Sequence, residues 1–98
     1  MLKISKEEMK IVLDIIKRNA KDCEVSVFGS RLKGTEKVFA DLDLAFKCKC
    51  RLGLDRIIQL EIEFEESALP YRVDIVDYNK TSKEFQKIID KNNKKIYG

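Results

Sequence analysis

Apolar positions along the chain switch between two spacings, and the switches mark out the elements. Met9, Val12, Leu13 and Ile16 recur at helical spacing, with Ile11 and Ile15 widening the stripe. Ser5-Lys6-Glu7-Glu8 just ahead has capping-box spacing, so a helix is predicted over residues 5–20. Glu24 to Phe28 then reads as a short strand ended by Gly29-Ser30, and Asp41 to Lys47 as a second strand. Gly53 opens a longer helix to about Ala68, with Leu54, Ile57, Ile58, Phe64 and Ala68 near one side, and Leu69-Pro70 stops it. Tyr71 to Asp77 is a third strand, followed by a turn from Asp77 through Asn79. Thr81-Ser82-Lys83-Glu84 repeats the capping-box spacing, and Phe85, Ile88 and Ile89 give the last helix its buried face. The polar end, Lys91 to Lys95, is expected to fray. Helices and strands alternate without repeat, linker or low-complexity segment. The prediction is one α/β (α+β) domain over residues 1–98, a small mixed sheet of three or four strands flanked by helices.

Composition narrows the chemistry. Hydrophobic residues make up 44% and charged residues 38% of the 98, enough for a core beneath a charged surface. The 20 Lys and Arg against 17 Asp and Glu leave +3, too mild a bias to predict nucleic acid as a direct ligand, and the lysines from Lys80 to Lys95 read as a solvated face. No apolar run is long enough to span a membrane, and the first residues lack a signal-peptide pattern. Histidine is absent, which excludes Ser-His-Asp and Cys-His catalysis and every His-ligated metal site. Three cysteines, an odd number without an export signal, predict reduced thiols in the cytoplasm rather than disulfide stapling. Cys48 and Cys50 read as small residues at a strand end, because a zinc site wants four ligands and only Cys23 remains. The surplus apolar residues Ile11, Ile15 and Leu60 widen helix faces enough to predict a buried partner subunit, including a second copy of the chain.

Three features carry candidate chemistry. Gly29-Ser30, directly after a strand, lets backbone amides approach a phosphate, and Arg31, Lys33 and Lys37 place positive charge beside the turn. Such turns are common, and most bind nothing. In Asp41-Leu42-Asp43-Leu44-Ala45-Phe46, strand alternation sends Leu42, Leu44 and Phe46 one way and both aspartates the other. Same-face carboxylates repel, so the arrangement fits best with a hard cation such as Mg²⁺ or Mn²⁺ between them. The bland alternative is a solvent-facing edge strand with two solvated aspartates. Asp74, between Val73 and Ile75, converges on the same place if its strand neighbours the second. Otherwise it forms a salt bridge with Arg72 or a lysine, and Asp77 lies on the other face.

The order of these features resembles the nucleotidyltransferase superfamily that includes DNA polymerase beta, and most of all the minimal (MNT-type) nucleotidyltransferases of prokaryotes. The matching residues are Gly29-Ser30-Arg31 with Gly34, then Asp41-Leu42-Asp43-Leu44, then Leu69 to Asp77. Ala40 departs from the Ser that usually precedes the first Asp, which removes no expected ligand. The resemblance implies transfer of a nucleoside monophosphate, AMP from ATP, to a hydroxyl with release of pyrophosphate. It implies that Gly29, Ser30 and Arg31 hold phosphates and that Asp41, Asp43 and Asp74 are catalytic and bind two Mg²⁺ ions. Asp74 would also take the proton of the attacking hydroxyl. It further implies a HEPN-type toxin as partner, with a toxin tyrosine as acceptor and this chain as antitoxin. The alternatives are an inactive module of the same fold that masks its partner by binding alone, and a minimal transferase acting on a small-molecule hydroxyl.

Overall fold

The computed structural model describes residues 4–29 and 41–98. In chain order the described elements are α1 (Lys6–Asn19), β1 (Cys23–Phe28), β2 (Leu42–Cys48), α2 (Leu54–Glu66), β3 (Val73–Asp77), a 3₁₀ turn (Tyr78–Lys80), α3 (Lys83–Lys91) and β4 (Asn93–Tyr97). The strands form a mixed sheet in the order β3-β2-β1-β4. β1 pairs antiparallel with β2 and β4, while β2 and β3 run parallel. The connection between β2 and β3 contains α2, the helical crossover that a parallel pair needs.

Alternation along the strands divides the core. Val25, Val27, Leu42, Leu44 and Phe46 are fully buried on one face, against Val12 and Ile16 of α1 and Leu60 and Phe64 of α2. On the other face Phe28, Ala45 and Ile89 form a smaller cluster with Val76, Tyr78 and Phe85, so α3 covers only part of that side. Phe28 and Phe85 meet edge to face at 5.9 Å. The rest of that face, which none of the described helices covers, carries the carboxylates described below.

The caps follow the sequence closely. At α1 the Glu8 amide donates to Ser5 Oγ and the Ser5 amide to Glu8 Oε1, both at 3.1 Å, completing the predicted box. At α3 the predicted Thr81–Glu84 box does not form, and a single cap replaces it one residue on. Ser82 is the N-cap and accepts from the Phe85 amide, while Thr81 Oγ1 donates back to the Tyr78 carbonyl.

Four expectations are corrected. The end of the chain does not fray: Asn93–Tyr97 adds β4 to the free side of β1, where backbone pairing outweighs the polarity of its side chains. Ile15 and Leu60 are buried in the domain's own core, at 3% and 0% exposure, so they leave no face for a partner. Leu54 and Ile58, predicted to face inward, are 69% and 44% exposed, because the helix turns Leu60 and Phe64 towards the sheet. Finally, Cys23 and Cys48 stand directly opposite in the β1–β2 ladder, with their sulfurs bonded at 2.00 Å. A sequence separation of 25 conceals what the antiparallel register brings together. Cys50 is a free, exposed thiol.

Closing a loop of this length restricts the unfolded chain by about 3 kcal/mol. A reductant should therefore lower the thermal midpoint by several degrees, and Cys23→Ser/Cys48→Ser should unfold at that lower midpoint whether or not reductant is present. An unchanged midpoint for the wild type on reduction would contradict the pairing.

Candidate active site

Strand pairing builds the site. In the parallel β2–β3 pair Asp43 lies opposite Asp74, and in the antiparallel β1–β2 pair Phe28 lies opposite Asp43. Asp41, two residues before Asp43, shares its face by alternation. The backbone closes this corner, with the Leu42 amide donating to the Arg72 carbonyl at 2.8 Å. Gly29 follows Phe28 with φ +81°, and a Cβ built there would collide with Asp43 Oδ2. Both the backbone conformation and the space thus call for glycine beside that carboxylate.

The electrostatics follow from the crowding. Burial, together with the charges of Asp74 and Asp41, pushes the Asp43 carboxyl up to about 6. Asp74 makes an ion pair with Arg72 at 3.5 Å, the bland alternative considered above, but both side chains are well exposed and the contact is weak. Asp77 stands in register with Phe46, on the face away from the cluster. Its Oδ1 is buried without a hydrogen-bond partner, and nothing among the described residues explains it.

An all-oxygen cluster that is costly to ionise by itself fits a hard divalent cation, which would offset the mutual repulsion of Asp41, Asp43 and Asp74. The Asp22, Cys23 and Cys48 ligand atoms also lie within 4.8 Å of one another, at the far end of the sheet. There both sulfurs are consumed by the disulfide, and Asp22 is paired with Arg56 at 2.5 Å. The Arg56 hydrogen bond holds the Asp22 carboxyl below its ordinary range.

The structure thus brings Gly29, Asp41, Asp43 and Asp74 to one end of one sheet face. Ser30, Arg31, Lys33, Gly34, Lys37 and Ala40 lie outside the described residues. Glu61 and Glu65 of α2, which the sequence reading did not single out, line a groove that also takes in Arg72 and Asp74.

Asp43 has a folded-state pKa above its unfolded value of 3.8, so the folded protein holds that proton more tightly. The resulting stability is fully present below about pH 4 and is lost as pH rises through about 6. The carboxylate is partly exposed, so solvent screening reduces the effect to about 1 kcal/mol. In metal-free buffer at pH 7.5, Asp43→Asn should melt higher than the wild type, with the gap closing towards pH 4. Mg²⁺ should raise the wild-type midpoint at pH 7.5 more than at pH 5. A lower midpoint for Asp43→Asn at pH 7.5 would show that the carboxylate is not repelled.

Comparison with known proteins identifies the family. The profile of the family described as "Polymerase beta, Nucleotidyltransferase" matches residues 10–98. A protein of Haemophilus influenzae named "Probable protein adenylyltransferase MntA" is 42% identical over 90 residues, which cover 92% of this chain and 79% of that one. A chain from a crystal structure of a toxin–antitoxin with AMP-PNP superposes with a TM-score of 0.79 at 23% identity, covering 92% of this chain and 73% of that one. Another, from a tri-AMPylated Shewanella oneidensis HEPN toxin in complex with MNT antitoxin, gives a TM-score of 0.72 at 21% identity, over 92% and 69% of the two chains. At these identities the structural likeness establishes the fold. The family profile spans the site from Gly29 to Asp74, and with it the chain belongs to the polymerase beta nucleotidyltransferase family and is a nucleotidyltransferase.

Proposed function

We propose that this nucleotidyltransferase moves AMP from ATP to a hydroxyl of a HEPN-type toxin, as the antitoxin of a toxin–antitoxin pair. The observation that carries the catalytic part is the convergence of Asp41, Asp43 and Asp74 on one sheet face beside Gly29. Support for the acceptor comes from the 42% identity to a protein named as an adenylyltransferase, and from the matched fold of an antitoxin solved with an AMPylated HEPN toxin. No helix among the described residues is long and apolar enough to cross a membrane.

In this reading Gly29, Ser30 and Arg31 hold the triphosphate. The glycine keeps the turn free of side-chain bulk next to Asp43, and the two residues after it supply a hydroxyl and a guanidinium. Asp41, Asp43 and Asp74 would hold divalent cations, Mg²⁺ first. The bound cations would neutralise charge on the attacking and leaving oxygens. Asp74, on the outermost of the three strands, takes the proton from the acceptor hydroxyl. That oxygen bonds to the α-phosphorus, the α–β bridge breaks, and pyrophosphate leaves. A carboxylate has this task because the chain has no histidine.

Calorimetric titration of ATP with and without Mg²⁺ tests the site. The wild type should bind ATP only with the metal, and Asp41→Asn/Asp43→Asn should lose that binding by at least about 100-fold. The same variant should fail to label the toxin with AMP. If it still silences the toxin fully, the chain masks its partner by contact and the transferase reading fails.

A further inference from the structure

The end of the β1–β2 ladder away from Asp43 gathers a second set of metal-binding side chains. Cys23 and Cys48 are directly opposed there, and Asp22 precedes Cys23. A carboxylate oxygen of Asp22 and both sulfurs lie within 4.8 Å of one another. Cys50, two residues after Cys48, carries a free and exposed thiol. The segment that bears it is folded back on Asp22. The Lys49 amide donates to the Asp22 carbonyl at 3.5 Å, and Arg56 donates both to the Asp22 carboxylate and to the Arg51 carbonyl. The Arg56 hydrogen bond foremost, and the amides of Asp22 and Cys50 after it, hold the Asp22 carboxyl below its ordinary range, so it is ionised as a ligand must be. One reduction therefore separates this structure from three thiols grouped around a carboxylate.

Three sulfurs and one carboxylate oxygen have the number and softness of donors that a tetrahedral Zn²⁺ site uses, and they suit Mg²⁺ poorly. Counting cysteines alone left such a site one ligand short, and Asp22 is the fourth. Zn–S bonds of about 2.3 Å set neighbouring sulfurs about 3.8 Å apart. Side-chain rotation supplies that separation, because the Cβ atoms of opposed strand residues are already about 4.5–5.5 Å apart. Cys23 and Cys48 are buried, whereas Asp22 is partly exposed and Cys50 fully so, which gives a metal its entry from solvent. Three thiolates and a carboxylate leave Zn²⁺ with an excess of negative charge, and the Arg56 guanidinium beside Asp22 offsets part of it.

We infer that the reduced protein binds Zn²⁺ through Asp22, Cys23, Cys48 and Cys50, so that the metal and the disulfide are alternative fastenings of one strand pair. A thiol reductant opens the Cys23–Cys48 bond: two of its thiols become one disulfide, and the two cysteine sulfurs take up the electrons and protons. Zn²⁺ then displaces the protons of the three cysteine thiols with no further redox change. Either fastening closes the ladder at this end. Only the metal also draws in Cys50, and with it the segment between β2 and α2. The site stands at the opposite end of β2 from Asp43 and does not depend on the transferase reading.

The test titrates Zn²⁺ against a chromophoric chelator in the full chain, once kept reduced with a phosphine and once oxidised. The reduced protein should bind it with a Kd below about 0.1 µM, and the oxidised protein at least about 100-fold more weakly. Zn²⁺ should also restore the thermal midpoint that reduction lowers. Co²⁺ in its place should give thiolate-to-metal charge-transfer absorption, which a carboxylate site such as Asp41, Asp43 and Asp74 does not produce. Asp41→Asn/Asp43→Asn should leave that absorption unchanged. Cys50→Ser, which leaves the disulfide intact, should melt like the wild type when oxidised and bind Zn²⁺ at least about tenfold more weakly when reduced. Lack of charge-transfer absorption in the reduced wild type would overturn the inference, as would equal Zn²⁺ affinity in the two redox forms. So would binding indifferent to Cys50→Ser, or binding that fails to raise the reduced midpoint, since the metal would then not be held by the folded cluster.

Discussion

The parallel register of β2 with β3 is the constraint on which the rest depends. It sets Asp43 opposite Asp74, with Asp41 two residues away on the same face. Left alone, these carboxylates repel, and burial makes ionising Asp43 harder still. The register holds because of what lies on the reverse of the same strands. Leu42, Leu44 and Phe46 are fully buried against α1 and α2, and a slip by one residue would exchange them with the aspartates. Burying three large apolar side chains is worth several kcal/mol, against about 1 kcal/mol for the strained carboxylate. Packing on one face therefore wins, and the acidic cluster on the other is its consequence.

The β1–β2 ladder carries this arrangement between two unlike ends. At one end Phe28 opposes Asp43 beside the glycine turn, and at the other Cys23 opposes Cys48. The second end is further secured by Arg56, which donates to Asp22 and to the carbonyls of Leu52 and Arg51. α1 and α2 are held across one another by Glu63, which accepts from Arg18, Asn19 and Gln59, and these bonds hold its carboxyl below the ordinary range. Among the described residues, these polar contacts lie away from the carboxylate cluster.

Much of this was legible in the sequence because it is local. The strand at Asp41 to Lys47, the third strand at Tyr71 to Asp77 and the Ser5–Glu8 box follow from period, alternation and spacing over a few residues. The meeting of Asp74 with Asp43 was legible only on condition that their strands neighbour one another, which the pairing supplies. What could not be read depends on partners distant along the chain. Cys23 and Cys48 become a pair, and Asn93–Tyr97 a strand, only once β1 is in place to receive them. The inward side of α2 was read only in part: Ile57 and Phe64 pack inward as expected, while Leu54 and Ile58 stay exposed because the sheet takes the stripe that carries Leu60 and Phe64.

The topology also explains why the chemistry collects at one end of the sheet. β1 runs against β2, so its last residues lie beside the first residues of β2, and β3, parallel to β2, begins there too. Three strand termini meet at one edge, and side chains there are near the core without being enclosed by it. Ala45 packs with Phe28 and Ile89 on that face, while Asp43 and Asp74, one pair nearer the starts of β2 and β3, stand outside that cluster. Beside the packed part of the face the local dielectric is low enough to strengthen charge interactions. In a chain of 98 residues with no histidine, that is where carboxylates can be held close enough to act together.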